Sequence, residues 1–150
     1  MYRRRRAGGF TLLELIIALS IVAIMLALVI PSFSGLGERR VIAESRRIAS
    51  ILKYVNDSAV VTREHCSITF DIATRTLTYL AVDGERTETF ETFSALELPS
   101  RGRLTEGEFT VIFGQMGADE PVKVYLAEGE KKASVTLNNL SGRVKIEEEM

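Results

Sequence analysis

The sequence contains one cysteine, one histidine and no tryptophan among its 150 residues. Because Cys66 is the single cysteine, no disulfide can form within the chain, and a hydrophobic core must stabilise the fold. His65 and Cys66 are adjacent, and two ligands are too few for a zinc site, which needs three or four protein side chains. Cys66 is therefore expected to be a small buried core residue.

The sequence also lacks the patterns that carry common enzyme chemistry. It contains no phosphate-binding glycine loop, no serine triad, no paired-carboxylate pocket and no third residue for a Cys/His nucleophile. Asp119 and Glu120 lie together in a glycine-containing loop, but two acids without further ligands are too few for a calcium site. The expectation is a protein that is not an enzyme and that binds no metal and no cofactor.

Beyond the N-terminus, acidic residues outnumber basic residues. Residues 1–9 contain four arginines, Arg3 to Arg6, and no acid. Residues 10–150 contain fifteen basic and twenty acidic residues, a net charge of −5. Because a chain of this sign has no overall electrostatic attraction to nucleic acid, no nucleic-acid partner is expected.

One long apolar run, from Phe10 to Ile30, follows the arginines. A helix of this length spans roughly 31 Å, about the thickness of the hydrocarbon core of a bilayer. The preceding arginines place the N-terminus in the cytoplasm by the positive-inside rule. The segment therefore predicts a single membrane span, with the rest of the chain on the far side of the membrane.

Several simple interpretations of this segment stay open on the residues alone. A secretory or twin-arginine signal peptide would need a small-residue cleavage site, which residues 29–33 do not supply. A plain signal anchor explains the length and orientation but not Gly8, Gly9 or Glu14. Glu14 lies about one turn from the helix start, so it can also be incidental and reach the interface. A carboxylate in a membrane segment is nevertheless a candidate functional residue.

The stretch RRRRAG-GFTLLE, which ends at Glu14, resembles the signal of type IV prepilins. The resemblance implies that a prepilin peptidase cuts between Gly9 and Phe10, that Phe10 is N-methylated, and that residues 10–30 remain as the assembly helix. It also implies that Glu14 pairs with the N-terminal amine of a neighbouring subunit, or of its own chain before assembly. A mispacked subunit would leave that carboxylate unpaired, so the pairing would set the register of assembly.

Beyond the apolar run, the pattern predicts a second, amphipathic half of the helix over residues 31–63. Pro31 falls where many pilins have a helix-kinking proline, and it is expected to interrupt the helix. From residue 38 onward the apolar residues recur at helical spacing on one face: Val41, Ile48, Leu52, Val55 and Ala59. The basic residues lie largely outside this face: Arg39, Arg40, Arg46, Arg47 and Lys53. We interpret them as a solvated charged face; the alternative is contact with phospholipid headgroups or with acidic surfaces of neighbouring subunits.

From Cys66 onward the apolar residues alternate with period two, which predicts a β-rich globular domain over residues 64–150. The pattern predicts six to eight antiparallel strands in one or two sheets, with a third strand at 87–93 and loops at 96–107 and 114–121. The fold class is therefore α+β, with a long N-terminal helix packed on an antiparallel sheet domain. Residues 1–9 are assigned to a prepilin leader.

The C-terminal part, which contains Phe113-Gly114 and Ser141-Gly142-Arg143-Val144, resembles the GspH/FimT domain of the general secretion pathway protein H family. The turn at Gly142 is expected to need a positive φ, and Arg143 is either a hairpin surface residue or a contact residue. Together with the N-terminus, this resemblance implies a type IV pilin-like fold. It also implies a minor pseudopilin of the type II secretion system, at or near the tip of the periplasmic pseudopilus.

The implied location is the inner membrane, with a single span and the C-terminal domain in the periplasm. The implied partners are other minor and major pseudopilins, the prepilin peptidase, the inner-membrane assembly platform and membrane lipid. The alternative is a minor pilin of a type IV pilus, in pilus priming or DNA uptake. That role needs a basic patch, for which Arg101, Arg103 and the arginines near residues 39–47 are the candidates.

Overall fold

The computed structural model describes residues 11–33 and 36–149, without the side chains of residues 27–38 and 149. Gly9 and Phe10, the residues of the expected cleavage and methylation, lie outside the described residues. The chain divides into two compact units, Met1–Leu36 and Gly37–Met150.

The first unit contains helix α1 (Leu12–Phe33), which includes Pro31 and ends two residues after it. The helix thus continues slightly beyond the interruption expected at Pro31, while a kink at that residue stays a prediction. The apolar side chains from Leu12 to Leu26 are half or more exposed within this chain. Among the described residues, no helix meets the combined length and apolarity that crossing a membrane requires.

The second unit begins with helix α2 (Leu36–Thr62), which starts two residues before residue 38. All five apolar residues of its predicted face are buried. The helix ends at Arg63, which has a left-handed backbone conformation with φ of 60°. Such a residue commonly closes a helix, although glycine is the usual choice there.

Ten strands follow within the described residues, all paired antiparallel in two five-stranded sheets. Sheet A has the order β3-β2-β1-β6-β7, and sheet B has the order β10-β9-β8-β4-β5. The strands are β1 (Cys66–Asp71), β2 (Thr76–Ala81), β3 (Gly84–Thr89), β4 (Phe93–Leu98), β5 (Gly102–Leu104), β6 (Glu108–Gly114), β7 (Gly117–Ala118), β8 (Val122–Glu128), β9 (Lys131–Asn138) and β10 (Arg143–Glu149).

The predicted six to eight strands are too few, and the expected loop at 114–121 contains β7. The prediction was also wrong between residues 87 and 107. The expected strand at 87–93 is divided between β3 and β4, and the expected loop at 96–107 contains half of β4 and all of β5. Strand β4 carries an irregularity in its register between Phe93 and Ala95. A bulge of this kind breaks the period-two alternation, because two residues face one on the partner strand.

One hydrophobic core unites α2 with the inner faces of both sheets. Phe70 of β1 and Phe93 of β4 bring the two sheets together, with ring centroids 6.2 Å apart. Tyr54 of α2 packs edge-on against Tyr79 of β2 at 6.4 Å. The predicted α+β architecture, with the amphipathic helix packed on antiparallel sheets, is confirmed.

Candidate assembly sites

Glu14 closes a capping box at the start of α1. The Thr11 amide donates a hydrogen bond to Glu14 Oε2 at 3.2 Å, and the Thr11 hydroxyl donates to the same oxygen at 3.3 Å. The Glu14 amide donates in return to Thr11 Oγ1 at 3.2 Å. This reciprocal arrangement satisfies amides of the first helical turn that have no partner within the helix.

The capping box gives Glu14 a local role that the sequence analysis missed. The signal was present, because threonine followed three residues later by glutamate, before an apolar run, is a helix-start pattern. A substitution that removes the whole side chain would therefore remove the cap as well as the charge. Any test of pairing between Glu14 and an N-terminal amine must separate these two effects.

The five basic residues of α2 are all exposed, which confirms the predicted solvated face, and some of them also form ion pairs within the domain. Three of the five form intramolecular ion pairs: Arg40 with Glu91 and with Glu128 at 3.3 Å, Arg47 with Glu88 at 2.5 Å, and Lys53 with Asp57 at 2.9 Å. Arg39 and Arg46 form no ion pair with the part of the chain that the structure describes. These two arginines are therefore the ones available to a partner.

Glu44 of α2 also holds the segment between β3 and β4. Its carboxylate accepts hydrogen bonds from the Glu91 amide at 3.1 Å, the Thr92 amide at 2.9 Å and the Thr92 hydroxyl at 2.6 Å. Because Thr92 is buried, these bonds satisfy polar groups that water cannot reach. The polar side of α2 is thus used largely for intramolecular tethering.

Asn56 on α2 lies close to two glycines that are distant from it in the sequence, Gly117 of β7 and Gly142 in the turn before β10. A Cβ atom at Gly117 would lie 2.7 Å from Asn56 Oδ1, and one at Gly142 would lie 2.8 Å from Asn56 Nδ2. Asn56 is buried, and its Oδ1 has no hydrogen-bond partner among the described residues. Gly142 has a φ of 64°, which confirms the predicted turn. The glycine of the C-terminal motif is thus required both by its backbone conformation and by the close approach of Asn56.

Arg143 follows this turn, and it is exposed. It lines a groove with Lys123 and Lys145 on the outer face of sheet B. Thr136 of β9 lies opposite Lys123 on one side and opposite Lys145 on the other. Lys123, Thr136 and Lys145 therefore share one face of the sheet. The groove contains one carboxylate, Glu147, which accepts a hydrogen bond from Lys145 Nζ at 2.7 Å.

Two residues considered above as candidates for catalysis or metal binding, Cys66 and Glu120, contribute to the folded structure. Cys66 is buried, as predicted, and burial raises the pKa of its thiol, with a further contribution from the Glu64 carboxylate. Glu120 accepts hydrogen bonds from the amide and the hydroxyl of Ser100 at 2.9 and 2.7 Å. Both carboxylate oxygens of Glu120 are thereby occupied.

Comparisons with known proteins support the N-terminal signal and the fold. The prokaryotic N-terminal methylation motif matches residues 4–30. Two solved structures share the fold: the minor pseudopilin EpsH from the type 2 secretion system of Vibrio cholerae, with a TM-score of 0.53 and 16% identity, and the type IV minor pilin FimU of Pseudomonas aeruginosa, with a TM-score of 0.52 and 14% identity. The chain carries a prepilin signal and a pilin-like fold.

The two fold matches are extensive. Each covers 73% of this chain, together with 97% of the EpsH chain and 90% of the FimU chain. No curated protein sequence matches the chain. The methylation motif contains Gly9, Phe10 and Glu14, so the residues of the predicted signal lie inside the matched segment.

Proposed function

We propose that this chain is a minor pseudopilin of the type II secretion system and a structural, not a catalytic, component at or near the tip of the pseudopilus. The observation that carries the proposal is the joint occurrence of the N-terminal methylation motif and a fold shared with EpsH over 97% of that chain. The pseudopilus would drive export of folded proteins across the outer membrane.

The exposed apolar side chains of α1 support a role in assembly. Leu12 is 78% exposed and Leu19 is 60% exposed within this chain. Apolar surface of this extent requires an apolar environment, which the membrane supplies before assembly and the helices of neighbouring subunits supply afterwards. The proposal therefore places the chain in the inner membrane with one span, its globular unit in the periplasm, and other pseudopilins as partners.

The same signal implies two further partners. The proposed prepilin peptidase would cut between Gly9 and Phe10 and release a new amino terminus at Phe10, which would then be methylated. The inner-membrane assembly platform would take up the mature subunit. In the filament, Glu14 would pair with the terminal amine of a neighbour and so set the register.

Deletion of the gene tests the proposal directly. Secreted exoproteins and surface pili with twitching motility are scored in parallel in the same strain. Loss of secretion with intact pili is the expected result. Loss of pili or of DNA uptake with intact secretion would contradict the proposal and assign the chain to a type IV pilus.

The groove formed by Lys123, Arg143 and Lys145 is the observation that favours this second candidate, a minor pilin with a role in DNA uptake. Three cations on one face attract phosphates. However, Lys145 is already paired with Glu147, and the charge of residues 10–150 is negative overall. We therefore expect no salt-sensitive DNA binding by residues 37–150.

A DNA titration at two salt concentrations separates the two candidates. Micromolar binding that weakens steeply with salt, and that is lost in Arg143→Ala, would support the DNA-uptake role. Arg39→Ala is the matched control, because it removes an exposed arginine outside the groove. Binding that both variants lose equally would indicate only a general attraction.

A further inference from the structure

Strand β10 forms one edge of sheet B. Its neighbour on one side is β9, with which it pairs over seven consecutive residues without a register shift. On its other side it has no partner strand within the described part of the chain. The outward backbone amides and carbonyls of such an edge are free to pair with another strand.

Strand β10 lacks three of the usual protections of an edge strand, while its five charged residues supply a fourth, which disfavours every partner strand without complementary charges. Strand β10 has seven residues, contains no proline and shows no bulge, whereas protected edges are typically short, bulged or interrupted by proline. Ile146, at its centre, is 36% exposed. The acidic end of the strand is paired with β9 as far as Glu149.

The order of charges along β10 is self-complementary. In an antiparallel pairing centred on Ile146, Lys145 of one copy lies opposite Glu147 of the other, and the symmetry repeats this pair. Ile146 then lies opposite Ile146, and Val144 lies opposite Glu148. Arg143 lies opposite Glu149 at the two ends, so two pairs of opposite charges lie on either side of the apolar contact.

Neighbouring registers of the same orientation are less favourable, because each contains two opposite-charge pairs (Arg143 with Glu147, or Lys145 with Glu149) and one like-charge pair at its centre. A pairing centred on Lys145 places Lys145 opposite Lys145, and a pairing centred on Glu147 places Glu147 opposite Glu147. Like charges directly opposite each other destabilise a sheet. The charge pattern therefore selects the register centred on Ile146.

Lys145 and Glu147 already form an ion pair within one copy of the chain. Lys145 Nζ lies 2.7 Å from Glu147 of the same chain, and both side chains are largely exposed. The pKa of Lys145 is raised, and that of Glu147 lowered, chiefly by this hydrogen bond. In the proposed pairing the two such pairs become a square of alternating charges on one face of the sheet.

We propose that β10 pairs edge to edge with β10 of a second copy, in the antiparallel register centred on Ile146, and so joins two copies of sheet B into one ten-stranded sheet. This contact is isologous, since the same surface is used by both copies. The contact goes beyond the proposed function, because it involves neither α1 nor any other protein of the secretion system.

Cysteine cross-linking of residues 37–150 tests the contact, because this unit contains every residue of the hydrophobic core. In the proposed register the two Ile146 Cα atoms lie about 4.5–5.5 Å apart, within the roughly 4.4–6.8 Å that a disulfide bridges. Ile146→Cys is therefore expected to form a disulfide-linked dimer under mild oxidation. Leu140→Cys is the matched control, because Leu140 is 91% exposed but lies in the turn before β10.

Charge reversal tests the register. In the Ile146→Cys background, Lys145→Glu turns two attractive pairs into repulsive ones, so we expect the dimer affinity to fall by about tenfold or more. The double variant Lys145→Glu/Glu147→Lys restores opposite charges in the same register, and we expect it to restore cross-linking. All three positions are exposed, and circular dichroism verifies that the variants fold.

Two outcomes would overturn the proposal. Cross-linking of Ile146→Cys that is no faster than that of Leu140→Cys would show that the edges do not meet. Fast cross-linking that Lys145→Glu leaves unchanged would show a contact in another register.

Discussion

A Cβ atom at Gly142 would lie only 2.8 Å from Asn56 Nδ2, so a side chain at this position would require Asn56 to shift. The two residues are distant in sequence, and their contact brings the turn of the β9–β10 hairpin against α2. Asn56 makes the same close approach to Gly117, the first residue of β7. The C-terminal motif is thus held in place by one buried side chain of the helix.

Gly142→Ala should destabilise residues 37–150 more than Gly129→Ala. Both glycines have a φ near 60°, at 64° and 61°, so each alanine meets a backbone penalty of about 1–2 kcal/mol. A Cβ at Gly129 has nothing within 4 Å, whereas at Gly142 it also meets Asn56, which adds about 1–3 kcal/mol. Urea unfolding of both variants measures the difference, and equal losses of stability would contradict the contact.

Glu14→Gln should retain insertion and cleavage but impair assembly. Glutamine can still close the capping box with Thr11, so this variant removes the charge alone. Glu14→Ala removes both the charge and the cap, and Thr11→Ala weakens the cap alone by about 0.5–2 kcal/mol. Secretion and filament incorporation are compared across the three variants. Normal assembly of Glu14→Gln would show that Glu14 acts as a cap and not as a register charge.

Arg63→Gly should stabilise the domain. Arg63 ends α2 with a φ of 60°, and glycine adopts this conformation without the penalty of about 1–2 kcal/mol that other residues meet. We expect the midpoint of thermal unfolding to rise by a few degrees. Arg75→Gly is the contrast, because Arg75 has a φ of 57° but also donates a hydrogen bond to the Glu91 carbonyl at 2.6 Å. A fall in stability for Arg63→Gly would refute the assignment.

Cys66 should resist alkylation in the folded protein. Burial raises the pKa of its thiol, so the reactive thiolate is scarcer than at an ordinary pKa of about 8.5. A group whose pKa is raised on folding contributes stability below the unfolded pKa and loses it as the pH rises through the folded value. Unfolding free energies above pH 8.5 should therefore fall more steeply than in Cys66→Ala. Rapid labelling of the native protein would contradict this burial.

Local patterns in the sequence predicted several elements of the fold correctly. The helical spacing of Val41, Ile48 and Leu52 predicted the buried face of α2, because one helical face repeats every three to four residues. The alternation around Ile68 and Phe70 predicted strand β1 in the same way. The residues from Gly9 to Glu14 predicted the methylation motif, since its glycine, phenylalanine and glutamate stand at fixed offsets.

Other features of the fold depend on contacts between distant segments, which local patterns in the sequence do not reveal. The register irregularity after Phe93 hid strand β4, because a bulge removes the alternation by which a strand is recognised. The requirement for Gly142 depends on Asn56, which reaches the turn only once α2 packs on the sheets. The sequence by itself determined which faces are apolar and several of the turns, Gly142 among them, because periodicity and turn residues are local. The tertiary structure decided which turn meets the helix and which strand is left at the edge, because these depend on contacts between distant segments.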